Sequence, residues 1–89
     1  MLHAIADPTR RRILQALKER AGNSVGKDAG LCAHDIELRI QLSQPTISHH
    51  MAILTKSGLV EAKKQGQWKW YRRSEPVLRE FSRKLRNSL

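Results

Sequence analysis

The segment Leu42–Leu54 constrains the fold more than any other part of this chain, because it predicts a helix with two unlike faces. Ser43 is a good N-cap and Pro45 lies in the first turn, where a missing backbone N–H costs little, so the helix should begin near Gln44. At about 100° per residue, apolar side chains fall on one face and small polar side chains on the other. The inward face holds Ile47, Met51 and Leu54, with His50 at its margin, and the outward face holds Pro45, Ser48, His49 and Ala52.

The outward face of this helix is polar and uncharged, which suits close contact with DNA bases. Hydroxyl and amide groups donate and accept hydrogen bonds, and the major groove presents a different pattern for each base pair. The side chains that we expect to read bases are Gln44, Thr46, Ser48 and His49. The segment therefore predicts the recognition helix of a helix-turn-helix.

The two adjacent histidines of this helix should differ in role. They point about 100° apart, so they do not easily ligate one ion. We expect His49 to face DNA, and His50 to fill the margin of the core and to bond a backbone group. Protonation of either ring would make DNA binding sensitive to pH.

Length and charge narrow the class of protein. The 89 residues suffice for one small domain, so we expect residues 1–89 to form a single unit. Seventeen Lys and Arg against eight Asp and Glu give a formal charge of +9, which predicts salt-dependent attraction to polyanions. The apolar stretches are short and Met1–Ala6 is too brief for a signal or membrane segment, so we expect a cytoplasmic protein that binds no membrane. The single cysteine, Cys32, fits a reducing compartment.

An earlier helix should begin at Asp7, with Pro8 at the first helical position. We expect it to run to about Arg20 and to end at Gly22 in a left-handed conformation. Its first turn carries three consecutive arginines, which form either a solvated face or a set of phosphate contacts. The apolar stripe of the helix is Ile13, Leu14, Leu17 and Ala21, and the arginines are Arg10, Arg11 and Arg12.

A glycine-rich stretch, Gly22–Gly30, predicts a loop between this helix and the next. A short helix over about Ala33–Ile40 then leads through Gln41 into the recognition helix, which is a helix-turn-helix spacing. Gln41 stands where that motif usually has glycine. The turn should therefore differ slightly or accept a strained backbone.

A basic hairpin follows the recognition helix. Gly58 ends the helical pattern, Leu59–Lys64 alternates as a half-buried strand, Gln65–Gly66 predicts a turn, and Gln67–Arg73 returns as a second strand. This hairpin is typical of the wing of a winged helix. Trp68 and Trp70 should lie on one face of it and Tyr71 on the other. With four aromatic residues in the chain, we favour structural roles for them over base stacking. The cations that we expect to hold phosphates are Lys56, Lys63, Lys64, Lys69, Arg72 and Arg73.

The tail predicts a further helix over about 75–89, capped by Ser74, with Leu78, Phe81 and Leu85 at apolar spacing. In so small a domain this helix has little core left to cover, so we expect it to join two subunits. Packing within one subunit is the alternative. A two-fold dimer would present two recognition helices about one helical turn apart, which predicts a palindromic operator.

Several motifs in this order and spacing resemble the ArsR-like family of winged helix-turn-helix repressors. They are Asp7–Leu14, Leu42–His50, Gly58–Val60 and Gly66–Trp68. The resemblance covers most of the chain. It implies a homodimeric repressor that binds an operator and, in many members, releases it when a metal or metalloid binds.

The segment Leu31–Ile36 resembles the sensor box of that family, with His34 where a second cysteine would stand. One cysteine per subunit does not supply the two or three sulfurs that trivalent arsenic favours. Cys32 and His34, completed by His3 or the dimer mate, are candidate zinc ligands; the alternative, which we favour, is a buried thiol and a helix-start histidine. No histidine follows His50, as the family's other metal site would require. We therefore assign no metal and no cofactor, and leave the inducer open.

Other classes of protein have less support. No glycine-rich phosphate loop, catalytic carboxylate pair or Ser/His/Asp pattern stands out, so we do not expect an enzyme. A basic dimeric adaptor for an acidic protein is the alternative, but it would need an exposed apolar anchor on the recognition helix, which the sequence does not offer there. We predict a mainly α protein with a small β-hairpin, a homodimeric winged helix-turn-helix that represses transcription.

Overall fold

The computed structural model describes residues 2–23 and 30–88. These residues form five helices and three strands, in the order α1 (Leu2–Ala6), α2 (Pro8–Asn23), β1 (Leu31–Cys32), α3 (Ala33–Ile40), α4 (Gln44–Lys56), β2 (Val60–Gln65), β3 (Trp68–Arg73) and α5 (Glu75–Ser88). The mainly helical architecture with a small hairpin agrees with the prediction. Within the described residues, no helix is long and apolar enough to cross a membrane.

Helix α2 begins where the sequence predicts, because Asp7 caps it. Asp7 Oδ1 accepts the backbone N–H of Thr9 at 2.7 Å and of Arg10 at 3.3 Å. Desolvation alone would raise the pKa of Asp7, but these two N–H donors and the charge of Arg10 hold that pKa below its ordinary value. The helix continues through Gly22 to Asn23, so the predicted left-handed end at Gly22 was wrong. A glycine inside a helix costs only about 1 kcal/mol relative to alanine.

Two elements have no counterpart in the sequence prediction, α1 and β1. Strand β1 pairs antiparallel with β3, with Leu31 opposite Tyr71 and Cys32 opposite Trp70, so the sheet has the order β1-β3-β2. Gly30 lies so close to this pairing that a Cβ there would overlap the carbonyl group of Tyr71. Most of the predicted loop before it, residues 24–29, lies outside the described residues.

The core lies between α2, α3, α4 and the inner face of the sheet. Its largest fully buried side chains are Ile13, Ile36, Ile47, Met51, Leu54, Leu59 and Val60. Burial of each such side chain contributes about 1.5–3 kcal/mol to folding. The apolar faces predicted for α2, α3 and α4 are therefore confirmed as the buried faces of these helices. Leu14 and Leu17 of α2 and Ile40 of α3 belong to the same core.

The turn between α3 and α4 accepts a strained backbone. Gln41 has φ +62° and ψ +43°, the left-handed conformation that glycine adopts more readily. Its N–H donates to the carbonyl oxygen of Glu37 at 2.8 Å and so closes the end of α3. The sequence left open either a slightly different turn or a strained backbone. The helix-turn-helix keeps its turn, and Gln41 adopts the strained left-handed conformation.

The hairpin of β2 and β3 pairs Val60 with Arg73 at its base and Gln65 with Trp68 at its tip. Tyr71 is buried and anchors the hairpin to the core, whereas Trp68 is 52% exposed. Tyr71 and the tryptophans lie on opposite faces, as predicted. Trp68 lies on the outer face, which the described residues leave open at that position, so the structural role favoured for this side chain stays a prediction.

Candidate nucleic-acid interface

The exposed side of α4 carries a row of polar groups that we call the α4 polar face: Gln44, Thr46, Ser48 and His49. All four side chains are exposed, as the helical periodicity predicted. Gln44 Nε2 donates to Ser48 Oγ at 2.8 Å, one helical turn further along. This bond orders an amide and a hydroxyl beside each other on the same surface, where both retain further capacity to donate and accept.

Ser43 precedes the α4 polar face at the N-cap position, with φ −65° and ψ 155°. Its side chain makes no capping hydrogen bond to the backbone of α4. Ser43 Oγ lies instead 3.0 Å from Thr46 Oγ1, so the two hydroxyls bond each other. The predicted start of the helix at Gln44 is confirmed, and the Ser43 hydroxyl extends the polar surface rather than closing the helix end.

The opposite side of α4 is buried, and His50 belongs to it. His50 is 8% exposed, and its Nδ1 lies 3.1 Å from Arg10 Nη1. We predicted that His50 bonds a backbone group, and this was wrong, because the guanidinium of Arg10 lies beside Nδ1 instead. Burial lowers the pKa of His50, the carboxylate of Asp7 opposes this by raising it, and the charges of Arg10 and His49 lower it further.

Arg10 connects three elements through a buried cluster that we call the Arg10 junction: Arg10, Asp7, His50 and the carbonyl groups of His3 and Ala4. Arg10 is 5% exposed. Its Nε donates to Ala4 O at 2.7 Å and its Nη2 to His3 O at 2.9 Å, while Nη1 lies 3.9 Å from Asp7 Oδ2. The sequence left a solvated face or a phosphate contact as alternatives, and neither applies to Arg10, because its side chain is buried. It ties α1 to α2 and to α4.

The other two arginines of the cluster also bind helix ends, although both remain exposed. Arg11 Nη1 donates to Ile5 O at 2.6 Å and to Ala6 O at 3.1 Å, at the end of α1. Arg12 Nη2 donates to Ile40 O at 3.4 Å, at the end of α3. Carbonyl groups at the C-terminal end of a helix attract cations, so the arginine run holds short helices in place.

The hairpin presents cations on both of its faces. The register places Lys63 and Arg72 on the outer face with the tryptophans, and Lys64 and Lys69 on the face of Tyr71. All four cations are exposed, as is Lys56 at the end of α4. Lys69 Nζ lies 5.7 Å from the centre of the Tyr71 ring. The hairpin thus offers charge in two directions rather than in a single row.

Two arginines of the hairpin are engaged within the chain. Arg72 Nη2 lies 3.0 Å from Glu61 Oε2 on the neighbouring strand. Arg73 is half-buried, its Nη1 donates to Leu14 O at 3.4 Å, and its Nε lies 3.1 Å from Glu75 Oε1. The expected phosphate role of Arg73 was therefore wrong, because this guanidinium joins the hairpin to α2 and to the start of α5.

Cys32 and His34 lie in different environments. Cys32 is buried and its Sγ donates to Asp35 Oδ2 at 3.2 Å, whereas His34 is exposed. Within residues 2–23 and 30–88, no group of three or more His, Cys, Asp or Glu side chains is placed to hold a metal ion. The thiol fits the interpretation of a small buried side chain at the junction of β1 and α3.

An apolar stripe on α5 runs from the edge of the core into solvent. Val77 and Leu78 pack against the core, Phe81 is half-buried, and Leu85 is 40% exposed. None of the described residues of α5 is fully buried. The stripe therefore contains apolar surface that the described residues do not cover.

Comparison with known proteins agrees with this geometry. The family described as bacterial regulatory protein, arsR family, matches residues 7–62, from the cap of α2 into β2. The transcriptional repressor SdpR of Bacillus subtilis is 38% identical over 77 residues, which cover 86% of this chain and 76% of that protein. The arsenical resistance operon repressor of Staphylococcus aureus is 35% identical over 85 residues, which cover 96% of this chain and 73% of that protein.

Solved structures share the fold. A possible transcriptional regulator for arsenical resistance has a TM-score of 0.77 at 31% identity, covering 98% of this chain and 80% of its own. The transcriptional repressor BigR from Xylella fastidiosa has a TM-score of 0.70 at 24% identity, covering 99% and 81%. These proteins are winged helix-turn-helix regulators rather than enzymes. The chain belongs to the ArsR family of bacterial regulatory proteins and is a DNA-binding transcriptional regulator.

Proposed function

We propose that this regulator is a homodimeric repressor that binds a palindromic operator, with α4 in the major groove and the β2–β3 hairpin against the flanking phosphates. The observation that carries the proposal is the contrast between the two sides of α4. A helix whose inner side is fixed in the core and whose outer side carries exposed amide, hydroxyl and imidazole groups is suited to reading base edges.

Phosphate contacts come from exposed cations around this helix. We assign them to Lys56, Lys63, Lys64, Lys69 and Arg72. Such contacts set the position of a protein on DNA and supply affinity that depends on salt, but they carry no sequence information. The formal charge of +9 supports a large contribution of this kind.

The α5 stripe supports the proposed dimer. We infer that Leu78, Phe81 and Leu85 pack against a second subunit, which makes residues 1–89 one domain with a C-terminal dimerisation helix over about 75–89. Leu2 of α1, which is 65% exposed, is a further apolar side chain available to a partner. A Leu85→Lys change should dissociate the dimer by placing a charge in an apolar contact, as sedimentation velocity would detect. Asn87→Lys is the matched control, since Asn87 is exposed and lies on the opposite side of α5 from Leu85.

Repression is the proposed outcome of binding because two relatives, SdpR and the staphylococcal protein, are repressors. We do not propose arsenic as the inducer, since one cysteine per subunit supplies too few sulfurs. We place the protein in the cytoplasm, where a bacterial or archaeal operator is accessible.

Selection of bound duplexes from a random DNA pool tests the proposal. We expect a palindromic sequence to be enriched, and the wild-type protein to bind it more tightly than a scrambled duplex in fluorescence anisotropy. Changing Ser48 and His49 together to Ala should remove most of this preference, whereas Lys63→Ala should weaken both duplexes alike.

Equal losses on both duplexes for the Ser48 and His49 variant would contradict base reading by the α4 polar face. Enrichment of no sequence, with binding governed by salt alone, would favour the basic adaptor for an acidic protein instead.

A further inference from the structure

We propose that Arg10 is a positioning residue for α4, acting through His50, and that protonation of His50 weakens operator binding. This inference rests on the proposed role of α4 in reading the operator. It concerns a buried residue pair on the side of α4 away from the α4 polar face.

The hydrogen bonds of the Arg10 junction fix the state of the His50 ring. A guanidinium carries five N–H donors and no acceptor. Arg10 Nη1 lies 3.1 Å from His50 Nδ1, so Nδ1 must accept this bond. The ring is therefore neutral, with its proton on Nε2, whenever the contact is made.

Protonation of His50 would place two N–H donors and two positive charges against each other in a buried site. Arg10 cannot turn away easily, because its Nε and Nη2 hold the carbonyl groups of Ala4 and His3. The protonated ring must then move, and the ring is carried by α4. His49, the next residue, belongs to the α4 polar face, so a displacement of His50 reaches the surface that we propose to read bases.

The charges around His50 act in opposite directions. Asp7, at the junction of α1 and α2, favours the protonated ring, whereas Arg10 of α2 and His49 of α4 oppose it. Burial also opposes protonation and is the largest of these effects, so the pKa of His50 lies below its ordinary value. The contact is thus complete near neutral pH and is lost as the pH falls through the lowered pKa.

The expected effect on DNA binding has a distinctive sign. Acidification ordinarily strengthens binding to DNA, because exposed histidines gain charge. We expect operator affinity instead to fall by up to about tenfold per pH unit for each subunit once His50 titrates, while affinity for a scrambled duplex does not fall.

Anisotropy on the selected operator and on a scrambled duplex, between about pH 5.5 and about pH 8 at constant ionic strength, tests this with two variants. His50→Asn keeps an acceptor oxygen near the position of Nδ1 and cannot titrate, so its operator affinity should not fall on acidification. His34→Gln removes an exposed histidine of α3 that lies outside the α4 polar face, so it should retain the wild-type fall. Circular dichroism at each pH confirms that the proteins remain folded.

NMR of the wild-type protein without DNA provides an independent test. We expect the His50 Nδ1 resonance to be that of an unprotonated nitrogen near neutral pH. The amide signals of Ala4 and Ile5, whose peptide groups contain the carbonyl oxygens that Arg10 holds, should titrate with the same midpoint as the His50 ring. A protonated Nδ1 at neutral pH, or His50→Asn with the same pH dependence as wild type, would overturn the inference. Failure of the proposed function looks different: the wild type would show no preference for any duplex at any pH.

Discussion

The α4 polar face and the Arg10 junction lie on opposite sides of one helix. Of two adjacent histidines, His49 belongs to the polar face and His50 to the junction. His49 is exposed and lies among polar groups, whereas His50 is 8% exposed and is held by a guanidinium. On the exposed side water replaces any contact that a substitution removes. On the buried side nothing replaces it, so a change there costs folding free energy. The comparison predicts that substitutions on the polar face alter recognition with little loss of stability, whereas substitutions on the buried side lower stability.

The largest effect should come from Arg10→Gln. This change removes the buried bonds to Ala4 O and His50 Nδ1 and the partly buried bond to His3 O, and leaves these acceptors without their partner. We expect the free energy of unfolding to fall by about 3–5 kcal/mol in urea denaturation. Arg11→Gln is the matched control and should cost less than about 1 kcal/mol, because its bonds are exposed. Similar losses for the two variants would break the comparison.

A substitution on the polar face should do the reverse. Gln44→Ala removes an exposed amide, so the free energy of unfolding should change by no more than about 0.5 kcal/mol. We expect discrimination at one base pair of each half-site to fall by about 1–3 kcal/mol, measured by anisotropy on operators with single base changes. Loss of stability without loss of discrimination would mean that Gln44 serves the helix rather than the DNA.

The pH dependence of stability should sharpen the contrast between the two histidines. The pKa of His50 is lower in the folded chain than its ordinary value of 6.5, so the unfolded chain takes up the proton first as the pH falls. The stabilising contribution of neutral His50 is therefore complete above pH 6.5 and is lost as the pH falls through the lowered pKa. His50→Asn should remove this loss in thermal unfolding across pH, and His49→Gln should keep it.

The smallest effect on recognition should come from the hairpin. Lys63→Ala removes one exposed cation, so affinity for specific and scrambled duplexes should fall together. If Lys63 contacts a phosphate, the slope of log affinity against log salt should decrease by about 0.9 per subunit. An unchanged slope would show that Lys63 lies away from the DNA backbone.

The sequence predicts the helix-turn-helix well because strong local signals mark its limits. Asp7 and Pro8 start α2, Gln44 starts α4, and Gly58, with φ +84°, follows the end of α4. The apolar periodicity also identifies the core side of each helix, since one face must be buried whatever the details of packing.

The Arg10 junction could not be predicted, because its acceptors are backbone carbonyl groups that every residue possesses. Three consecutive arginines give no indication that Arg10 turns inward while Arg11 and Arg12 stay at the surface. Strand β1 was missed for a related reason: its two residues form a strand only because β3 lies beside them. Exposure of Trp68 likewise depends on which side of the hairpin meets the core.

Amide chemical-shift mapping by NMR, with the selected operator and a scrambled duplex, tests most directly whether the α4 polar face reads DNA. We predict that the amides of Gln44–His49 shift strongly with the operator and weakly with the scrambled duplex, while those of Lys63–Lys69 shift with both. Operator-specific shifts elsewhere, with Gln44–His49 unchanged, would contradict this assignment of the recognition surface.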